Sequence, residues 1–322
     1  RELVAYGYLT YLVCQNKLSL SDFIFYFGII TGFSNWIINL VYCYSNLERC
    51  CNGCKAFREF VESSDNDDDN KVKTKFDNVD SIEFKNVCFT YPGANDSTIK
   101  NMSFKVKKGE NIAIVGENGA GKTTTIKMIT GILDIDEGDI LIDGNSIKTN
   151  PLEAKKRFGL VPDNPDIFIK LKGIEYLNFI ADIYKISEEE RIEKIKNLSK
   201  QFEMENVLNN KIQSYSHGMR QKIVIMGTLL HNPQNLILDE PMTGLDPRSS
   251  FDLKRIMREH TKQNKSVFFS THILEVAERL CDRVGIINRG KLVFIGTYEE
   301  MKREFNKKAS LEELFMEITD ND

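Results

Sequence analysis

The chain has 322 residues, enough to bury a sizeable core and to form one or two domains. It carries 43 Lys and Arg against 47 Asp and Glu, a net charge of −4 with no basic stripe, which argues against a nucleic-acid partner. Five of its seven cysteines precede residue 55, and Cys88 and Cys281 are isolated, so they do not form a secreted disulfide framework. CCNGC (residues 50–54) includes a Cys-x-x-Cys, but zinc would want a second pair or nearby histidines, and the first histidine is His217. These cysteines read as small apolar residues of a reducing compartment.

The chain opens with Arg1, and the short apolar run LVAYGYLTYLVC (Leu3–Cys14) reads as the tail of a longer helix. After the polar loop QNKLSLSD comes FIFYFGIITGFSNWIINLVYCY, Phe23 to Tyr44, which has no charged residue and is long enough to cross a bilayer as a helix. Trp36, Tyr42 and Tyr44 near its end suit an interfacial belt, and Arg49, Lys55 and Arg58 behind it favour a cytoplasmic C-terminal side. No cleavable signal is visible. Leu47, Cys50, Cys51, Cys54, Phe57, Phe60 and Val61 recur at helical spacing, so the helix is expected to continue into the cytoplasm. Residues 1–62 thus read as the C-terminal remnant of a transmembrane domain. SSDNDDDN (Ser63–Asn70) breaks that pattern. A calcium loop would need glycine at Asn70 and glutamate at Phe76, so residues 63–79 read as a solvated acidic linker.

From residue 80 the chain changes character. SIEFKNVCFTY alternates like a strand, and ENIAIVG and DILIDG are further strands. Residues 172–209 are charge-rich with helical periodicity, while NLILDE and SVFFSTH are apolar runs typical of buried parallel strands. Strands alternating with helices predict an α/β sheet, with the helical stretch of about 165–225 as an inserted subdomain.

GENGAGKT, Gly116 to Thr123, fits G-x-x-x-x-G-K-[ST] between a predicted strand and the helix TTTIKMITGIL. In such a loop Gly116, Asn118, Gly119, Ala120 and Gly121 turn backbone N–H groups toward phosphate oxygens, and the helix start at Thr123 and Thr124 adds its partial positive charge. Lys122 is expected to reach the β- and γ-phosphates, and the Thr123 hydroxyl to bind Mg²⁺. LILDEP ends a strand in two acids: Asp239, placed to hold Mg²⁺ directly or through water, and Glu240, placed to orient the attacking water. YSHGMRQK (Tyr215–Lys222) combines Ser216, Gly218 and Met219 at a helix start, a second anion-binding N-terminus.

In this order the motifs resemble an ABC-transporter ATPase, a P-loop NTPase with a parallel-sheet core, a helical subdomain and an antiparallel β subdomain; the resemblance covers nearly all of the chain, with the ATP-binding domain over residues 80–322. The family's usual LSGGQ stands here as YSHGM. The resemblance implies that Tyr91 in FTYPG stacks on adenine, that Asp246 in GLDP touches a partner subunit, and that His272 in FFSTH senses the γ-phosphate. It also implies two ATPs sandwiched between paired ATPase subunits, each phosphate loop facing the partner's signature. Asp163, in LVPDNPDIFIKL (Leu160–Leu171), falls where the family's glutamine touches Mg²⁺. As a hard oxygen donor it suits the metal; as an Asp beside Asn and Pro it equally suits a solvent-facing turn.

The N-terminal part resembles a bacterial exporter with membrane and ATPase segments fused in one chain. From TTTIKMITGIL onward, LKGIEYLNFIADIY, YSHGMRQK and the closing SLEELFMEIT resemble the bacitracin-exporter type, whose ATPase is made separately from its membrane subunit. The change falls near GENGAGKTT, which fits a recombined or misassembled gene and a divergent exporter alike. The expected function is an ATP-hydrolysing subunit at the cytoplasmic membrane of a bacterium, exporting a peptide, drug or lipid. The alternatives are the energising subunit of a separate permease or importer, and a soluble ABC-type ATPase outside transport.

Overall fold

A computed structural model describes residues 2–15, 17–29, 80–94, 96–165, 168–304 and 311–320. The chain divides into two compact units, Arg1–Lys73 and Thr74–Asp322. In the first, α1 runs over Glu2–Cys14, and α2 takes in the helical residues 20–29. Ser19 opens α2, its hydroxyl accepting the N–H of Asp22 at 3.1 Å. The Tyr6 and Phe27 rings meet at 4.6 Å. Among the described residues no helix is long and apolar enough to cross a membrane. Most of the expected span Phe23–Tyr44, its cytoplasmic extension and the acidic linker lie outside the described residues.

The second unit begins with strands β1 (Ile82–Phe89), β2 (Ile99–Val106) and β3 (Asn111–Val115), then helix α3 (Lys122–Ile129). There follow β4 (Glu137–Ile142), β5 (Asn145–Ser146), α4 (Pro151–Lys156) and β6 (Phe158–Val161). Helices α5 (Gly173–Ile183), α6 (Glu188–Gln201) and α7 (His217–Leu230) occupy the stretch expected to be a helical subdomain. The chain returns through β7 (Asn235–Leu238), α8 (Pro247–Lys262), β8 (Ser266–Thr271), α9 (Leu274–Leu280), β9 (Arg283–Asn288) and β10 (Lys291–Gly296). It ends in α10 (Tyr298–Glu304) and α11 (Leu311–Asp320).

Two sheets result. One is antiparallel, in the order β2-β1-β4-β5; the other runs β10-β9-β3-β8-β7-β6, with only the β9–β10 pair antiparallel. The uninterrupted apolar strands of the larger sheet are explained by burial on both faces. Ile112, Ile114, Ile237 and Phe268 turn to a core shared with β1, β2, β4 and α3. Their strand neighbours Ala113, Val115, Leu236, Leu238, Val267 and Phe269 turn to the core under α5–α9 and α11. Truncating the fully buried Phe268 to Ala would cost about 3–5 kcal/mol, because its stack on Phe104 would be left as a cavity. Four neighbouring strands, β3, β8, β7 and β6, end on one edge, and the loops that leave them carry the phosphate loop, His272, the pair Asp239 and Glu240, and Asp163. An open parallel sheet binds ligands at that edge.

Candidate nucleotide site

The phosphate loop leaves β3 and is pinned to the β9–β10 turn. Gly290 N–H donates to the Ala120 carbonyl at 2.9 Å, and Ala120 N–H to that of Glu117 at 3.1 Å. Gly121 has φ +111, and a Cβ there would meet the Ile99 side chain at 2.7 Å, so both backbone and space require glycine. Lys122, 6% exposed, donates to the Gly116 carbonyl at 2.6 Å and stands 3.7 Å from Glu240 Oε1. At the helix start Thr123 donates to Asp239 Oδ1 at 3.3 Å. Thr124 Oγ1 lies 3.2 Å from the hydroxyl of Tyr91, which ties the predicted adenine-side aromatic to the helix that the loop opens. Tyr91 remains 39% exposed and stands edge-on to Phe89.

The two acids that follow β7 are held from β8. Ser270, fully buried, donates to Asp239 Oδ1 at 2.6 Å and accepts the N–H of Glu240 at 2.9 Å. Glu240 has φ +47, a left-handed conformation that costs a non-glycine residue about 1–2 kcal/mol. Its Oε2 lies 2.8 Å from His272 Nδ1 and also accepts the His272 N–H at 3.3 Å. Lys122, Glu240 and His272, predicted from three separate motifs, therefore form one chain of contacts.

The signature residues make different contacts. Ser216 caps α7, accepting the Met219 N–H at 3.3 Å. Gly218 packs on the loop before α8; a Cβ there would come within 2.5 Å of the Gly244 carbonyl. Asp246 caps α8 through Ser249 and pairs with Lys222 Nζ at 2.8 Å. The Lys222 hydrogen bond first, then the Ser249 N–H, holds the Asp246 carboxyl well below the usual carboxylate range. YSHGM and GLDP thus form one connected corner. Among the described residues no hydrogen bond or ion pair joins Ser216, Gly218 or Met219 to the phosphate loop.

Asp239 is 3% exposed, and burial raises its carboxyl pKa, opposed by the bonds from Ser270 and Thr123 and assisted by the charges of Asp163 and Glu240. A buried carboxylate with two acids near it and a hydroxyl at 3.3 Å is a hard-oxygen setting that fits Mg²⁺, an ion commonly held by one or two carboxylates plus substrate phosphates. Among the described residues no three acids, histidines or cysteines converge on one metal position. Asp163 is exposed, yet close enough for its charge to act on Asp239.

Three side chains at the site escaped sequence reasoning. Ser270 follows the apolar Val267–Phe269 of its strand directly, a signal hidden at the end of an apolar run. Lys222 closes the stretch YSHGMRQK, and nothing in its local pattern points to Asp246. Phe315 of α11 walls a pocket of about 240 Å³ with Gly116, Glu117, Asn118, His272 and Leu274. That neighbourhood depends on long-range packing that no local pattern encodes.

Fold and site together define a P-loop nucleotide-binding ATPase. Residues 99–243 match the family model described as ABC transporter. The Bacillus subtilis ABC transporter ATP-binding protein NatA is 34% identical over 219 residues, 68% of this chain and 89% of NatA. The SkfA peptide export ATP-binding protein SkfE of the same organism is 34% identical over 67% of this chain and 90% of its own. A solved ATP-binding subunit of an ABC transporter superposes with TM-score 0.71 at 34% identity, covering 74% of this chain and 99% of that one. The chain belongs to the ATP-binding proteins of ABC transporters. It is the ATP-binding component of such a transporter and an ATP hydrolase.

Proposed function

We propose that the chain energises export of a peptide, drug or lipid across a bacterial cytoplasmic membrane, with Glu240 as the group that activates water. The observation that carries the hydrolytic part is the Lys122–Glu240–His272 chain of contacts at the phosphate loop. Gly116, Asn118, Gly119, Ala120 and Gly121 cradle the phosphates, Lys122 neutralises their charge, and Tyr91 stacks on the base. Thr123 and Asp239 would hold Mg²⁺, with Asp163 supporting them, and the ion would supply positive charge to phosphate oxygens. Glu240 orients the attacking water and takes up its proton, while His272 fixes the carboxylate and meets the γ-phosphate. Little covalent chemistry falls to the protein, so catalysis is positioning and charge stabilisation. Glu240→Gln should bind ATP and nearly stop turnover; a variant that keeps most of its hydrolysis would remove Glu240 from this role.

The separate contact network of Ser216, Gly218, Met219 and Asp246 supports a role against a second ATPase subunit, identical or not, whose nucleotide they would close over. In that arrangement turnover per molecule rises with protein concentration. The exporter reading is supported by the similarity to the peptide export protein SkfE and by the apolar stretch Phe23–Tyr44, which would anchor residues 1–62 in the membrane ahead of the 63–79 linker and the 80–322 ATPase domain with its helical subdomain at about 165–225. Retention in membranes after alkaline washing tests the anchor. ATP-dependent accumulation of labelled peptide, drug and lipid probes in inverted vesicles tests export.

A further inference from the structure

We propose that Ser270 is a positioning residue for hydrolysis, fixing Asp239 and Glu240 relative to each other through one hydroxyl; this rests on the roles proposed for those two acids. Strands β7 and β8 are parallel neighbours with Leu238 opposite Phe269, so Asp239 and Ser270 are the next residues on the two strands. The register therefore delivers a serine to the point where β7 ends and the acids begin.

The hydrogen-bond directions are unambiguous. The Glu240 N–H can only donate, so the serine oxygen accepts it at 2.9 Å; the hydroxyl proton then goes to Asp239 Oδ1, 2.6 Å away. One side chain satisfies a donor and an acceptor on successive residues, in a place with no solvent to substitute. Glu240 is the residue with φ +47, and its anchored N–H is the backbone restraint on that turn from within β8. The turn sends the Glu240 carboxylate toward Lys122 Nζ and His272 Nδ1 instead of along the strand. Thr123 bonds the same Asp239 oxygen from the phosphate-loop side, so Ser270 also completes the link between that loop and the hydrolytic acid.

Alanine at 270 removes both bonds with almost no change in shape. It leaves the Glu240 N–H unpaired and the turn less well fixed, without touching any residue proposed to bind nucleotide. The consequence is specific: the hydrolytic step suffers and nucleotide binding does not. A hydroxyl that merely fills the core would instead lower stability and leave the rate per folded molecule intact.

The test compares the full chain with Ser270→Ala, Ser270→Thr and Glu240→Gln. It measures kcat and KM for Mg-ATP, the Kd for ATP in excess chelator, and the thermal midpoint. Ser270→Ala is expected to lose about 10–100-fold in kcat, as supporting partners of active groups typically do, with metal-free Kd within about twofold of the parent. Ser270→Thr keeps the hydroxyl and should recover most of the rate; if its added methyl prevents folding, Ser270→Ala decides alone. A Ser270→Ala kcat within about threefold of the parent, beside an inactive Glu240→Gln, overturns the inference and leaves the acid-pair reading standing. Matched losses in kcat and metal-free binding also overturn it, because they assign Ser270 to the general fold. An active Glu240→Gln removes the acid-pair reading itself, and this inference with it.

Discussion

Glu240 Oε2 lies 2.8 Å from His272 Nδ1, joining residues that leave two neighbouring parallel strands. The same glutamate reaches Lys122 Nζ with its other oxygen at 3.7 Å, so one carboxylate spans the phosphate loop and the histidine. Replacing it by the isosteric amide keeps the shape and removes the carboxylate proposed as the base. Glu240→Gln should retain ATP binding while turnover falls about 10²–10⁴-fold, the usual contribution of a positioned acid–base group. Single-turnover rates beside a nucleotide titration separate the two effects.

For Lys122 the proposed role is in binding. Its ammonium is held inside the loop by the Gly116 carbonyl at 2.6 Å and the Glu117 carbonyl at 3.3 Å, 6% exposed. Lys122→Ala removes the ammonium proposed to meet the phosphates, and a charged hydrogen bond of this kind is worth about 1.5–3 kcal/mol. A loss in ATP affinity of roughly 10- to 100-fold by titration is expected. Unchanged affinity would remove Lys122 from phosphate binding.

Much of this site is written in local patterns. GENGAGKT between a strand and a helix, LILDEP closing a strand and FFSTH closing another each announce their position, because phosphate cradling and strand-end acids require particular residues at fixed spacing. The apolar runs also gave the sheet, since strands buried on both faces need no alternation. The strand order was not legible: β8 lies between β3 and β7 although it follows β7 in sequence, and that insertion brings Ser270 to the acids. Nor was the pairing of Lys222 with Asp246 legible, which joins residues twenty-four positions apart through a corner between α7 and α8. Phe315, in the closing SLEELFMEIT, arrives from the end of the chain by packing α11 on α9, so its place beside the phosphate loop has no local signature.

The Lys222–Asp246 pair makes a prediction of its own. Asp246 caps α8 and anchors the signature helix, so Asp246→Ala should cost about 1 kcal/mol for the cap, measured by urea unfolding. Asp246→Asn keeps an acceptor for Ser249 N–H and loses the charge on Lys222, and should recover most of that stability. If the corner closes over a partner's nucleotide, Asp246→Asn will still lower the concentration-dependent part of the ATPase rate. A full-rate Asp246→Asn at every concentration would detach the corner from subunit pairing.

Asp163 can be separated from Asp239 by metal titration. The two carboxylates interact electrostatically, and Asp163 is the exposed one. If Asp163 supports Mg²⁺, Asp163→Ala should raise the Mg²⁺ concentration for half-maximal hydrolysis severalfold while Asp163→Gln, with its carbonyl oxygen, is tolerated. An unchanged Mg²⁺ titration in Asp163→Ala returns the residue to ordinary turn chemistry.

Acid sensitivity should come from two histidines outside the site. His231 stacks on Tyr184 at 3.6 Å, and its Nε2 lies 3.4 Å from the Phe158 carbonyl. His260 is 6% exposed on α8. Burial first pushes each ring down to about 4 from the ordinary 6.5, and Lys194 and Lys265 push respectively in the same direction. Among the described residues His231 Nδ1 and His260 Nε2 have no hydrogen-bond partner, so neither ring has a ready acceptor there for a second proton. Above pH 6.5 both rings are neutral in the folded and unfolded chain and stability is fully present. Between 6.5 and 4 only the unfolded chain takes up protons, so the folded state loses up to roughly 3 kcal/mol per histidine. Urea midpoints should therefore decline from pH 7 to 4.5, and His231→Phe, which keeps an aromatic ring against Tyr184, should flatten the decline. A slope unchanged in that variant would show that His231 does not contribute to it.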